Sequence, residues 1–335
     1  MRKEYLIKAI EEKLVSVQKH PNYDLYIYNY TPKVQYEKLW DEITLMCRGL
    51  ILDSEMNVIA KPFVKFFNIE EHTENELPKL PFDVYEKMDG SLGILYWIEN
   101  NPFIATRGSF NSEQSIHACK VLYEKYSHTF NLLDKNSTYL FEIIYPQNRI
   151  VVDYGDMDDL VLLTIIDNNT GIERIENIGF PIVKKYNGIN DLNELKKLEE
   201  NNKEGFVIRF KNGFRIKMKF SEYVRLHRII TNVSNITIWE YLSQNKSFDE
   251  LLEKVPDEFY QFVKQTKKEI EQNYKNVLNQ CLIDYKELNT RKETSLYFKT
   301  KKHPHILFSM LDKKDYSKII WKIIKPKYQK PFKSE

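Results

Sequence analysis

A change of periodicity near Phe220 constrains this chain more than any other feature. Before it, short alternating runs dominate: Asp24–Tyr28 and Gly49–Asp53 alternate, and Thr138–Tyr145 and Leu160–Asp167 read as further strands. Glu204–Phe210 and Phe214–Phe220 flank Lys211-Asn212-Gly213, and Asn-Gly is a strong hairpin signal. Helices are expected near 3–17, 112–126 and 191–200. After Phe220 the pattern is helical. Ser247 with Glu250 makes a capping box, and Pro256, Asp257 and Glu258 open a long helix running to about Leu288. Within it Phe259, Phe262, Val263, Ile270, Tyr274, Val277 and Leu278 recur at helical spacing and are expected in a core. Asp315–Ile324 reads as a closing helix. The simplest division is an α+β chain, with a β-rich domain over 1–233 and a helical domain over 234–335.

The strand grammar gives one pentapeptide a specific setting. Lys87-Met88-Asp89-Gly90-Ser91 lies between the strand-like runs Phe82–Glu86 and Leu92–Ile98, and Gly90 permits a tight bend and close approach of a ligand. A lysine at a strand end is held on a rigid element. It is a nucleophile only as the free amine, so a site that uses it must hold off its proton. Nearby cations and a bound metal do that; phosphates alone do the opposite. Taken alone, a Lys-x-Asp-Gly is more often an ordinary exposed turn.

Composition narrows the setting. The 335 residues are 42% hydrophobic, enough for a real core. Three scattered cysteines, Cys47, Cys119 and Cys281, argue for a reducing compartment and against a disulfide frame or a cysteine zinc site. Without a signal peptide or an apolar stretch of spanning length, the chain reads as cytosolic, away from membranes, with monomer as the default. The net charge of +2 hides an asymmetry: residues 291–335 carry 13 Lys+Arg against 4 Asp+Glu. Aromatics are mixed into that segment (Tyr297, Phe298, Phe308, Tyr316, Trp321, Tyr328, Phe332), so it is either an RNA-binding surface or a solvated helical face with its aromatics buried.

Other segments supply what the lysine needs. Phe214–Phe220 alternates strictly, so Arg215, Lys217 and Lys219 share one strand face, where paired lysines can neutralise a phosphoryl-transfer transition state. Glu204 precedes the strand before it, and Glu142 interrupts the apolar run Tyr139–Ile144; either carboxylate can hold Mg²⁺ or its waters. Cys47-Arg48-Gly49 and Lys65-Phe66-Phe67-Asn68 each add a cation, the second beside aromatics able to sandwich a base, and Thr106-Arg107-Gly108 adds another. Each segment, singly, is equally an ordinary strand or surface charge.

In this order they resemble the covalent nucleotidyltransferases, the polynucleotide ligases and RNA capping enzymes, and most closely the phage-type RNA ligase 1 family. Lys87–Ser91 matches the nucleophile motif, Phe141–Tyr145 the third, Glu204–Ile208 the fourth and Lys217–Lys219 the fifth. Cys47-Arg48-Gly49 with Lys65–Asn68, and Pro146–Tyr154, point to this branch; the match covers about residues 40–225. Arg107 stands where the family has lysine. The resemblance implies an antiparallel-sheet, ATP-grasp-like nucleotidyltransferase domain followed by an all-helical RNA-specificity domain. It implies an ATP-dependent RNA ligase that uses Mg²⁺ or Mn²⁺ and joins RNA 5′-phosphate and 3′-hydroxyl ends through lysyl-AMP and RNA-adenylate, in RNA repair with cleaved tRNA as a candidate substrate. If the gene is phage-borne, the compartment is the host cytoplasm. Lys87 is then the nucleophile, with Lys217 and Lys219 on the α-phosphate. Glu204 and Glu142 serve metal or ribose, Arg48, Lys65 and Arg107 the phosphates, and Phe67, Glu86, Asp89 and Gly90 the bound nucleotide and its loop. The alternatives are a DNA ligase, an mRNA capping guanylyltransferase, or a non-catalytic RNA-binding protein with a ligase-like core. An OB-fold, expected after the fifth motif in the first two, is not what 235–325 reads as.

Overall fold

The computed structural model describes residues 3–231, 234–253 and 260–327, and the chain divides into two compact units, Met1–Ile230 and Thr231–Glu335. In the first unit the strands are, in order, β1 (Val15–Lys19), β2 (Leu25–Tyr30), β3 (Arg48–Asp53), β4 (Val58–Ala60), β5 (Phe67–Asn68), β6 (Phe82–Lys87) and β7 (Ser91–Ile98). There follow β8 (Asn101–Ala105), β9 (Ser137–Ile144), β10 (Asp159–Asp167), β11 (Glu173–Arg174), β12 (Lys185–Tyr186), β13 (Gly205–Phe210) and β14 (Arg215–Lys219). They form three sheets ordered β1-β2-β3-β4, β11-β10-β9-β7-β8 and β12-β6-β13-β14-β5. The named strand pairs are antiparallel except β14 with the short β5, which run parallel.

The third sheet shows how alternation sorts chemistry. Val84, Phe206, Ile208, Ile216 and Met218 turn to one face and are buried in a core with Leu195, Val151 and Val152. The residues between them, among them Lys87, Val207, Lys217 and Lys219, take the other face. The second sheet buries Tyr139, Phe141 and Ile143 against the helix Glu113–Tyr126, whose Ala118, Val121 and Leu122 supply the opposing surface. The hairpin at Lys211-Asn212-Gly213 forms with Gly213 at φ +87, closed by the Phe210 N–H on the Phe214 carbonyl at 2.8 Å.

Two expected helices are shorter than the pattern implied. The first ends at Glu11, because Lys13 adopts φ +56 and Val15–Lys19 then pairs with β2; strand pairing wins over helical spacing there. The helix expected over 191–200 is a single turn, Leu192–Leu195, anchored by buried Leu195. Within the described residues of the second unit every element is a helix: Asn235–Ser243, Phe248–Glu253, Tyr260–Asp284, Arg291–Lys299, Pro304–Leu311 and Ser317–Ile323. The long helix buries Val263 and Ile270, with Tyr274, Val277 and Leu278 partly buried. Its expected start at Pro256–Phe259, and the Glu250 side chain of the expected capping box, lie outside the described residues. The aromatics of the basic segment are mostly core: Phe298 is fully buried, Tyr297, Phe308 and Tyr316 pack around it, and Trp321 lies against Tyr274. Tyr328 and Phe332 lie outside the described residues. Among the described residues no helix is long and apolar enough to cross a membrane.

Candidate active site

The loop 88–90 is not a simple hairpin turn: β6 belongs to the third sheet and β7 to the second, so the lysine loop passes between sheets. β13 lies between β6 and β14, and Gly205 stands in register with both Lys87 and Lys219. The two lysines therefore flank a glycine in one row, and Lys217 sits in the next row on the same face. Gly205 has φ +147, and a Cβ there would lie 2.0 Å from the Met218 carbonyl oxygen, so this position tolerates no side chain. Glu204, just before it and 3% exposed, completes the row: its Oε2 accepts from Lys87 Nζ at 2.7 Å and its Oε1 from Lys219 Nζ at 3.2 Å. A buried carboxylate is tolerable only when paired, and here two ammonium groups share it.

The loop itself is mounted by Asp89. This buried carboxylate accepts from the backbone N–H groups of Val151 and Val152, each at 2.8 Å, and from the Tyr223 hydroxyl at 2.7 Å. The Asp89 N–H in turn donates to the Tyr154 hydroxyl at 2.8 Å. Asp89, expected to orient Lys87 or contact a metal shell, accepts here from three donors that fix the loop after Lys87. At Gly90 a Cβ would meet the Ile143 carbonyl oxygen at 2.5 Å, so glycine lets the loop lie on β9. There the Gly90 N–H donates to Glu142 Oε1 at 3.0 Å. Burial pushes the Glu142 carboxyl up to about 7; Lys87 pulls it down and the Glu204 charge pushes it further up.

A second group of cations gathers around Tyr30 in the first sheet. Lys65 is buried, with the rings of Tyr30, Trp40 and Phe67 each 5.5 Å from its Nζ and Gln35 Oε1 at 3.3 Å. Arg107 stacks over the Tyr30 ring at 5.4 Å and donates to its hydroxyl at 3.3 Å. Arg48 lies over Phe66 at 5.7 Å. Phe67, expected beside a base, spends its ring on Lys65 and Trp40. β5 brings Phe67 and Asn68 beside Ile216 and Lys217, which ties this group to the lysine strand.

Glu86 is placed elsewhere, and Arg215, on the expected face, is already engaged. The Glu86 side chain leaves β6 on the face opposite Lys87, as strand alternation requires, and lies near Tyr186 (3.5 Å) and Lys203 (3.9 Å). Arg215 shares the face of Lys217 but is held by Glu173 at 2.5 and 3.3 Å and stacks on Phe63 at 4.3 Å. Residues that pattern reasoning missed are Tyr30, Trp40, Glu173 and Tyr223; none lies in a motif, and only the folded chain brings them in. Tyr154 was inside the 146–154 segment, without a role.

Among the described residues no three acidic, histidine or cysteine side chains cluster as a cage for a metal. Two carboxylates, Glu204 and Glu142, do approach Lys87. That donor set suits Mg²⁺, which is commonly held by one or two carboxylates, water and substrate phosphates.

Comparison with known proteins identifies the family. The family model described as RNA ligase matches residues 46–223, more than half of the chain, including the strands that carry Lys87, Lys217 and Lys219. The RNA ligase of Rhodothermus phage RM378 is 27% identical over 316 residues, covering 70% of this chain and 70% of that protein. A provisionally named RNA ligase of Thermovibrio ammonificans is 31% identical over 208 residues, 56% of this chain and 54% of its own length. The chain thus spans about half of that relative, and 39% of a viral one. A provisionally named ATP-dependent DNA ligase from Aquifex aeolicus has the same fold, with a TM-score of 0.50 at 14% identity over 94% of this chain and 100% of that chain. With more than half its length matched, and the matched half carrying the Lys87–Glu204–Lys219 row, the chain belongs to the RNA ligase family.

Proposed function

We propose that this protein is an ATP-dependent RNA ligase acting through a lysyl-AMP on Lys87. The group Lys87, Glu204, Lys219 carries the reading: a nucleophile candidate at a strand end and a second cation on the same sheet face share one buried carboxylate. Lys87 Nζ, as the free amine, attacks the α-phosphorus of ATP; the P–N bond forms as the P–O bond to pyrophosphate breaks, and the surplus amine proton passes to water. Lys217 and Lys219 lie alongside to take the charge that develops on the α-phosphate oxygens. Arg48, Lys65 and Arg107 hold pyrophosphate and then the 5′-phosphate of RNA. Glu204 and Glu142 would hold Mg²⁺, which would supply neutralisation of phosphate charge there. An oxygen of the RNA 5′-phosphate then displaces Lys87 from the adenylyl phosphorus, the P–N bond breaking as the amine takes a proton from water, and a 3′-hydroxyl finally displaces AMP, its proton passing to water. The helical second unit, with its basic end, would select the RNA, cleaved tRNA being the candidate in a repair setting. Helices throughout its described residues favour this reading over an enzyme in which an OB-fold follows the fifth motif.

The test is incubation with labelled ATP and Mg²⁺ without RNA, followed by peptide mass analysis. One adenylyl group on Lys87, absent from Lys87→Ala, supports the mechanism. An adduct from GTP alone points to capping chemistry, and none from either, once pre-adenylylated protein is excluded, to a non-catalytic RNA-binding protein.

A further inference from the structure

Tyr30 lies in no motif, yet it touches every segment that brings a cation to the second group. The residue is 4% exposed, and its backbone N–H donates to the carbonyl of Cys47, the residue before Arg48, at 2.6 Å. Lys65 Nζ lies 5.5 Å from its ring centre and Arg107 Cζ 5.4 Å, while Arg107 Nη1 donates to its hydroxyl at 3.3 Å. The segments themselves pack closely. Gly49 has φ +93, and a Cβ there would stand 3.2 Å from both the Cα and the carbonyl oxygen of Arg107.

Two like charges near one ring repel each other, so what holds them there bears on their use. A ring face attracts a cation without cancelling its charge or accepting its N–H groups. Among the described residues no carboxylate forms an ion pair with Arg107. Arg107 is exposed, and its planar fork keeps further N–H donors for an anion. Lys65 is buried, so the pair runs from the interior to the surface. Sheet order indicates which anion. Lys87 ends β6, Lys217 stands on β14 and β5 lies beyond it, with Lys65 two residues before Phe67 of β5. In-line attack by Lys87 sends the leaving group to the far side of the α-phosphorus, toward this second group of cations.

We propose that Tyr30 is a positioning residue: it sets the spacing of Arg107 and Lys65 so that both grip the leaving pyrophosphate. Tyr30 itself does not touch the reacting atoms. The assignment rests on the ligase reading of the lysine row. Its test is a double-mutant cycle in the full chain, with Tyr30→Phe, Arg107→Met and the two combined. Calorimetry measures binding of inorganic pyrophosphate and of AMP, and labelling measures self-adenylylation against ATP concentration. Tyr30→Phe should weaken pyrophosphate roughly tenfold, as the loss of a hydrogen bond to a charged group does. The KM for ATP should rise by the same factor and the rate at saturating ATP fall far less, while AMP holds its affinity. In the Arg107→Met background Tyr30→Phe should add no more than about twofold, because the partner it positions is gone.

Independent effects in the cycle, or AMP affinity falling together with that of pyrophosphate, overturn the proposal and leave Tyr30 as core packing. Unchanged pyrophosphate binding by Tyr30→Phe overturns it too. If Tyr30→Phe does not fold, the exposed Arg107→Lys decides, since it keeps the charge and loses the fork that meets the hydroxyl. It should weaken pyrophosphate roughly tenfold, and an affinity within about twofold of wild type overturns the proposal. A chain that shows the coupling with pyrophosphate but never adenylylates sinks the ligase reading and leaves Tyr30 positioning an anion site. Adenylylation of Lys87 without the coupling does the reverse.

Discussion

The Tyr223 hydroxyl donates a 2.7 Å hydrogen bond to the buried carboxylate of Asp89, joining residues 134 positions apart. Tyr223 lies in the helix Ser221–Thr231 just after the lysine strand, and its ring sits 5.3 Å from Lys219 Nζ. One side chain thus touches both the loop that follows Lys87 and the lysine that shares Glu204 with it.

Removing the acceptor strands three donors. Asp89→Ala leaves the Val151 and Val152 N–H groups and the Tyr223 hydroxyl without their partner, each loss costing about 1–3 kcal/mol. Stability measured by urea unfolding should fall by about 3–5 kcal/mol. Tyr223→Phe should cost no more than about 2 kcal/mol, because the two backbone donors remain. Equal stability of Asp89→Ala and wild type would show that water replaces the carboxylate.

Gly205→Ala should destabilise by about 3 kcal/mol or more, since φ +147 is a region closed to L side chains and the new Cβ would collide with the Met218 carbonyl. Relief of that collision parts β13 from β14, so the loss of self-adenylylation should exceed the unfolded fraction. Circular dichroism and labelling, read on the same sample, separate the two.

Lys219→Met and Lys217→Met keep the aliphatic stem and remove the charge. Each should lower the rate of self-adenylylation by about 10²–10³-fold, the usual cost of removing one electrostatic contact made in a transition state. The KM for ATP should move much less. Rates within threefold of wild type for both would remove them from the chemistry.

Glu142 makes metal-free stability pH-dependent. Its folded value of about 7 lies above the ordinary 4.5, so the native state holds the proton more tightly than the unfolded chain. Its contribution is complete below about pH 4.5 and is lost as the pH rises through 7, on the order of 1–3 kcal/mol in all. Urea midpoints measured in chelator from pH 4.5 to 8 should show that decline, and Glu142→Gln should flatten it.

Cys47 should be inert in the native protein. It is fully buried, and burial pushes its thiol up to about 12, so almost no thiolate exists near neutral pH. Alkylation followed by mass analysis should leave Cys47 unmodified until the chain is unfolded; rapid native labelling would show that the first sheet opens.

The strands around the lysine row were legible because they are regular: Phe214–Phe220 alternates, and alternation alone assigns Lys217 and Lys219 to one face and Ile216 and Met218 to the other. The rule that places Lys87 also turns Glu86 away, which motif matching overlooked. β1 was read as the tail of a helix because Val15 and Val17 fit either period over so short a run, and only pairing with β2 decides between them.

Local sequence determined the strand periods, the hairpin at Asn212-Gly213, the helical second half and the candidate chemical groups, because backbone geometry and side-chain type act over a few residues. Tertiary structure alone decided which groups meet. Whether Glu204 faces Lys87 or water depends on which strand lies between β6 and β14. Whether Asp89 is a ligand or a clamp depends on Val151, Val152 and Tyr223 arriving from elsewhere in the chain. Contacts across such separations come from sheet order and core packing, which no local pattern encodes.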